Sequence, residues 1–114
     1  HTDRALAEVL AELHKAADTG VATGLVYVSD HGESLGENGL FLHGAPYWMA
    51  PAEQIEVPGV LWLSDNYRRT FGIDYERLVQ KAKGDVRHDH LYHTVLGLLK
   101  VRSAAYDRTW DLSN

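Results

Sequence analysis

An adjacent carboxylate and imidazole, Asp30 and His31, stand where an apolar run stops. The run is Gly24 to Val28, and Gly32 comes directly after the pair. One oxygen and one nitrogen ligand suit zinc, which accepts mixed carboxylate and imidazole shells. In a regular strand, adjacent residues point to opposite faces. A sharp turn at Gly32, which has no Cβ, lets both side chains converge on one ion. His43 lies one loop further on. A second group, His88, His90 and His93, has the spacing His-x-His-x-x-His. His90 and His93 can share a helix face. There the structural reading is preferred, with His88 and Asp89 capping a helix and His93 packing beneath it. His1 and His14 read as surface residues.

These groups need elements to position them. Gly24 to Ser29 reads as a strand, and its continuous apolar character predicts burial on both faces, as in a parallel sheet. Val60 to Leu63 is a second buried-strand candidate. Between them, Asp30 to Pro58 is a long segment with little periodicity that holds all three prolines, and connections this long are usually functional. In it, Ser34 reads as a local turn residue and Glu37 as a solvated or capping acid. The aromatic group Tyr47, Trp48 and Met49 is expected to pack onto the domain, with a lipid-facing rim as the other reading. Asp3 to Ala17 is an amphipathic helix, with Ala5, Leu6, Val9, Leu10, Leu13 and Ala17 at three- and four-residue spacing. Asp65 to Phe71 begins a helical turn, Asp74 to Lys83 a short surface helix, and Asp89 to Val101 a further helix. That last helix sets Tyr92, Val95, Leu96 and Leu99 on one face, with Leu91 and Leu98 nearby. The tail from Arg102 has Tyr106 and Trp110 as anchors. Helix, strand, long loop, strand, helix is an α/β pattern. Two strands this apolar expect neighbours, so part of the sheet is expected to be missing.

Composition narrows the function classes. The chain has 114 residues, 45% hydrophobic and 24% charged, which is at most one domain of ordinary globular composition. A formal net charge of -5 argues against non-specific nucleic-acid binding. No apolar stretch approaches the roughly 20 residues that span a bilayer. There is no cysteine, which excludes disulfides and thiolate metal sites within this chain. The first residue is His1 rather than Met, and the true start is expected to lie upstream.

The run Tyr27-Val28-Ser29-Asp30-His31-Gly32-Glu33-Ser34-Leu35-Gly36-Glu37-Asn38-Gly39, then Leu42-His43-Gly44, resembles the metal-binding signature of the alkaline phosphatase/sulfatase superfamily. Within it, the likeness is to the lipid A phosphoethanolamine transferases, the enzymes behind transferable polymyxin resistance. Ala50-Pro51-x-Glu53-Gln54, Val57-Pro58 and Leu61-Trp62 continue the pattern in order and spacing. His88-Asp89 and His93 to Leu99 also look similar. The match is dense from Gly24 to Ser64 and moderate from Asp85 to Tyr106.

The resemblance implies a C-terminal portion, residues 1–114, of an alkaline-phosphatase-like α/β/α sandwich whose sheet is incomplete in this chain. It implies a zinc enzyme of the bacterial inner membrane, facing the periplasm. Such an enzyme moves phosphoethanolamine from phosphatidylethanolamine to lipid A through a threonine-bound intermediate. By resemblance, Asp30 and His31 take the position of zinc ligands, and His43 that of a histidine near the phosphate or a second metal. Glu33 either helps orient metal or substrate or simply orders its loop. The family's nucleophilic threonine lies well upstream of the Asp-His pair. Here Thr2, Thr19 and Thr23 precede it, and of these Thr2 opens a helix and Thr23 a strand. The chain alone is therefore expected to be inactive, with membrane contact made through an N-terminal region it lacks. The edges of an incomplete sheet are pairing hazards, so a homodimer that supplies the missing strands is one expectation. The alternatives are another superfamily phosphotransferase or hydrolase, such as a phosphoglycerol transferase or a sulfatase, and a non-catalytic metal-binding or interaction domain.

Overall fold

The structure, a computed structural model, describes residues 1–114. In chain order the elements are α1 (Thr2–Asp18), β1 (Gly24–Val28), β2 (Ser34–Leu35), β3 (Phe41–Leu42), α2 (Ala52–Ile55), β4 (Gly59–Leu63), α3 (Asp65–Phe71), α4 (Tyr75–Ala82) and α5 (Asp89–Leu98). Single 3-10 turns lie at Glu37–Gly39 and Arg108–Trp110. The chain divides into two compact units, one of His1–Thr23 with Leu63–Asn114 and one of Gly24–Trp62.

The first unit holds the apolar core: Leu63, Ile73, Leu78 and Leu98. Its helices start and stop where their caps dictate. Ser64 Oγ accepts the Tyr67 N–H (3.1 Å) at the start of α3, and Gly72, in the left-handed region at φ 63°, ends it. Asp74 Oδ1 accepts the Arg77 N–H (3.0 Å) at the start of α4. The amphipathic pattern of α1 forms as predicted, yet none of its residues is buried. On α5 the buried side chains are Thr94 and Leu98, whereas Tyr92 and Leu99 are exposed. The predicted face is rotated because the C-terminal tail claims the other side. Leu112 N–H donates to Thr94 Oγ1 (3.0 Å), and Asp111, 1% exposed, lies against Gly97. Tyr106 is an anchor as predicted, its hydroxyl donating to Asp111 Oδ2 (2.6 Å).

The second unit carries the strands. β1 pairs with β4, and β2 with β3. Ser29 N–H, just past β1, donates to the Pro58 carbonyl, just before β4 (3.4 Å). Ser64 N–H, just past β4, donates to the Thr23 carbonyl, just before β1 (2.9 Å). The start of each strand thus lies beside the end of the other, which makes the pair antiparallel rather than parallel. Nor is it buried on both faces: no residue of β1 is buried, and of β4 only Leu63 is. Apolar runs need a covering layer on each face, and here β1 and β4 have only each other as hydrogen-bonded neighbours. The long loop is more structured than its sequence suggests, folding into the β2–β3 hairpin and the short helix α2.

Candidate metal centre

The hairpin pairs Ser34 with Leu42 and Leu35 with Phe41. Carried one residue outward, that register sets Glu33 opposite His43, where cross-strand side chains meet. Their side chains do meet: His43 Nδ1 lies 3.0 Å from Glu33 Oε2. The His31 ring comes from the turn after β1 and stacks near the His43 ring, with centroids 3.8 Å apart and planes tilted by 31°. One ligand atom from each of His31, Glu33 and His43 falls within 4.8 Å of the others. All three side chains are open to water, so an ion has access.

Asp30 borders this trio. Its Oδ2 lies 3.9 Å from His31 Nε2, and its Oδ1 accepts the His31 N–H (3.1 Å). The two side chains are therefore on the same side of the turn. Asp30 is the most exposed of the set, at 90%. His31 Nδ1 lies 2.8 Å from the Gly32 carbonyl. A proton on Nδ1 serves that bond and leaves the Nε2 lone pair as the ligand, the arrangement that orients metal-binding histidines. In the same way, a proton on His43 Nδ1 serves Glu33 and leaves Nε2 for metal or substrate. Two imidazoles with nearby carboxylates form a donor set that fits a borderline divalent ion such as zinc.

Gly32 is where the turn needs glycine. Its N–H donates to the Gln54 carbonyl (3.0 Å), and a Cβ there would lie 1.9 Å from the Glu53 carbonyl oxygen. The loop is braced elsewhere by Glu37, whose Oε2 accepts the Leu35 N–H (2.7 Å). Backbone N–H groups, its own and that of Leu35, hold its carboxyl below the ordinary glutamate range. Glu37 thus ties back to the hairpin strand before it, and the 3-10 turn it begins has no side-chain capping bond. Ser34, by contrast, makes no local turn bond. It is 1% exposed and accepts from the Gln54 side chain (2.9 Å). Sequence reasoning missed that pair because residues 20 apart carry no periodic signal. The aromatic group does not pack: Tyr47 and Trp48 are 82% and 84% exposed.

The three-histidine group around α5 does not converge on a common point. His93 Nδ1 accepts the Asp107 N–H (3.0 Å), and the His90 ring sits edge-on to Trp110 at 4.8 Å. His88 occupies the N-cap position without a side-chain capping bond. The three upstream threonines have local structural roles: Thr2 opens α1, Thr19 Oγ1 donates to the Ala16 carbonyl (2.8 Å), and Thr23 Oγ1 donates to the Leu13 carbonyl (3.2 Å).

A family model described as Sulfatase matches residues 1–101. Phosphoethanolamine transferase EptA of Escherichia coli K12 is 46% identical over 91 residues, which is 79% of this chain and 17% of that protein. Two solved structures are similar. One is the integral membrane protein lipooligosaccharide phosphoethanolamine transferase A of Neisseria meningitidis, with a TM-score of 0.89 and 42% identity over 98% of this chain and 21% of that one. The other is the C-terminal periplasmic domain of phosphoethanolamine transferase EptC from Campylobacter jejuni, with a TM-score of 0.81 and 37% identity over 99% of this chain and 34% of that one. The chain thus spans about a sixth to a third of these proteins, and it shares their alkaline-phosphatase-like fold.

Proposed function

The chain belongs to the sulfatase family, and from that membership we propose that residues 1–114 are the C-terminal portion of a zinc-dependent transferase catalytic domain. The full enzyme moves phosphoethanolamine from phosphatidylethanolamine to lipid A at the periplasmic face of the bacterial inner membrane. The observation that carries this reading is the convergence of His31, Glu33 and His43 beside Asp30, in a chain similar to phosphoethanolamine transferases.

Asp30 and His31 would hold the metal, His31 through Nε2, with the Gly32 carbonyl fixing its ring through Nδ1. The ion, when bound, supplies charge withdrawal from a phosphoryl oxygen and a lowered hydroxyl pKa. His43 is turned by Glu33 so that its Nε2 faces outward from their shared bond. There it can take a proton from an attacking oxygen in one half-reaction and return one to a leaving oxygen in the other. In this scheme a threonine outside the chain attacks the donor phosphorus, diacylglycerol leaves, and a lipid A phosphate oxygen then displaces the threonine. The chain by itself lacks that nucleophile and is inactive.

The test is a chimera in which this chain replaces the segment it matches in the Neisseria meningitidis enzyme. Phosphoethanolamine transfer to lipid A is expected from the chimera and is expected to be lost with Asp30→Ala or His31→Ala. Near-normal transfer by either variant of an active chimera would overturn the assignment.

A further inference from the structure

We propose that Gln54 is the positioning residue of this metal centre, one side chain and one carbonyl that set the spacing of His31, Glu33 and His43. The proposal rests on the reading of this site as a metal centre, in which Asp30 and His31 would hold the ion and Glu33 and His43 border it. In the unit Gly24–Trp62 no apolar side chain is buried, and its buried side chains are Ser34 at 1% and Gln54 at 7% exposure. Apolar burial therefore cannot be what holds this loop in shape. Its interior is a polar pair, and a buried polar network fixes geometry when every member is satisfied.

Gln54 is satisfied at every group that matters here. Its Nε2 donates to Ser34 Oγ (2.9 Å), its Oε1 accepts the Ala45 N–H (3.2 Å), and its carbonyl accepts the Gly32 N–H (3.0 Å). Each bond lands beside a residue of this centre. Gly32 lies between His31 and Glu33, Ser34 follows Glu33, and Ala45 is two residues past His43. Gln54 is itself seated by its own N–H on the Pro51 carbonyl (3.0 Å), in the short helix α2. The backbone of that helix abuts Gly32 so closely that no Cβ fits between them. A buried glutamine that only satisfied stray polar groups would have partners scattered through the unit. These three fall on the two segments that bear His31, Glu33 and His43.

The test is a zinc titration of the 114-residue chain, followed by the ring-nitrogen NMR shifts of His31 and His43. Three single variants are compared with the unaltered chain. His31→Ala tests the metal reading, Gln54→Met keeps the side-chain length but removes both amide bonds, and Gln54→Glu serves as a rescue. In Gln54→Glu the carboxylate still accepts from Ala45 N–H, and the Ser34 hydroxyl can turn to donate to it. The expected result is that Gln54→Met weakens zinc binding about 10-fold or more, the usual loss when a ligand's supporting partner is removed. Gln54→Glu is expected to recover most of the affinity, and both rings are expected to shift together in the unaltered chain. If Gln54→Met disorders the loop, Ser34→Ala replaces it and is expected to weaken binding in the same way. Unchanged affinity in a folded Gln54→Met or in Ser34→Ala, with His31→Ala impaired, overturns the positioning role and leaves the metal reading intact. Unchanged affinity in His31→Ala overturns the metal reading itself.

Discussion

Replacing Gly32 with alanine isolates the close approach on which the centre depends. The backbone at Gly32 is not in the left-handed region, so a side chain is not barred by conformation. It is barred by space. The new Cβ would lie 1.9 Å from the Glu53 carbonyl oxygen, 2.8 Å from that carbonyl carbon and 3.1 Å from the Gln54 carbonyl carbon. Cβ atoms essentially never come nearer than 3.0 Å, so the turn and α2 must part by roughly 1 Å. Backbone atoms cannot rotate aside as a flexible side chain would. Overpacking of this kind costs about 1–3 kcal/mol. Lengthening the Gly32–Gln54 hydrogen bond adds about 0.5–1.5 kcal/mol. The entropic gain of alanine over glycine returns only about 0.4–1 kcal/mol. A net loss of roughly 0.5–4 kcal/mol follows, and it is local, because this unit has no buried apolar side chain to resist opening. Hydrogen exchange reads it directly. Amides from Gly32 to Gln54 are expected to exchange faster by about 2- to 900-fold, with those of α3 to α5 unchanged. Unaltered protection across Gly32–Gln54 would refute the reasoning.

Gly97→Ala sets helix propensity against packing: alanine favours a helix by about 1 kcal/mol, but its Cβ would meet Asp111 Oδ2 at 1.8 Å and displace a buried carboxylate. Urea unfolding is expected to show net destabilisation, and a stabilised variant would contradict the observed lodging of Asp111. The bond to Asp111, with burial, pushes the Tyr106 hydroxyl from 10.0 up to about 12. Folding therefore favours the protonated phenol, a contribution intact below pH 10 and lost as pH rises through about 12. Tyr106→Phe is expected to remove that alkaline dependence from the unfolding free energy measured against pH. Leu63→Ala, at a position 5% exposed in the apolar core, is expected to cost about 2–5 kcal/mol in the same unfolding assay.

Local signals carried well from sequence to structure. The apolar spacing of Ala5 to Ala17 marks α1, and the bounds read at Asp65, Phe71 and Asp74 fall at the ends of α3 and α4, because periodicity and capping act over a few residues. The turn at Gly32 and the shared side of Asp30 and His31 were legible for the same reason. Strand direction was not, because an apolar run encodes burial demand and not the course of its neighbour. The approach of His43 to Glu33 depends on the hairpin register, and the Ser34–Gln54 pair on a contact across 20 residues. Such pairings have no local imprint. The inward face of α5 was misjudged for a similar reason, since the tail that fixes it, through Thr94 and Gly97, is distant in sequence.

The most direct test of the central claim is anomalous scattering at the zinc edge from crystals of this chain soaked in zinc. The expected result is a single strong peak about 2.0–2.2 Å from His31 Nε2 and from a carboxylate oxygen, with His43 and Glu33 adjacent. No peak there, or a peak held instead by His88, His90 and His93, would contradict the account.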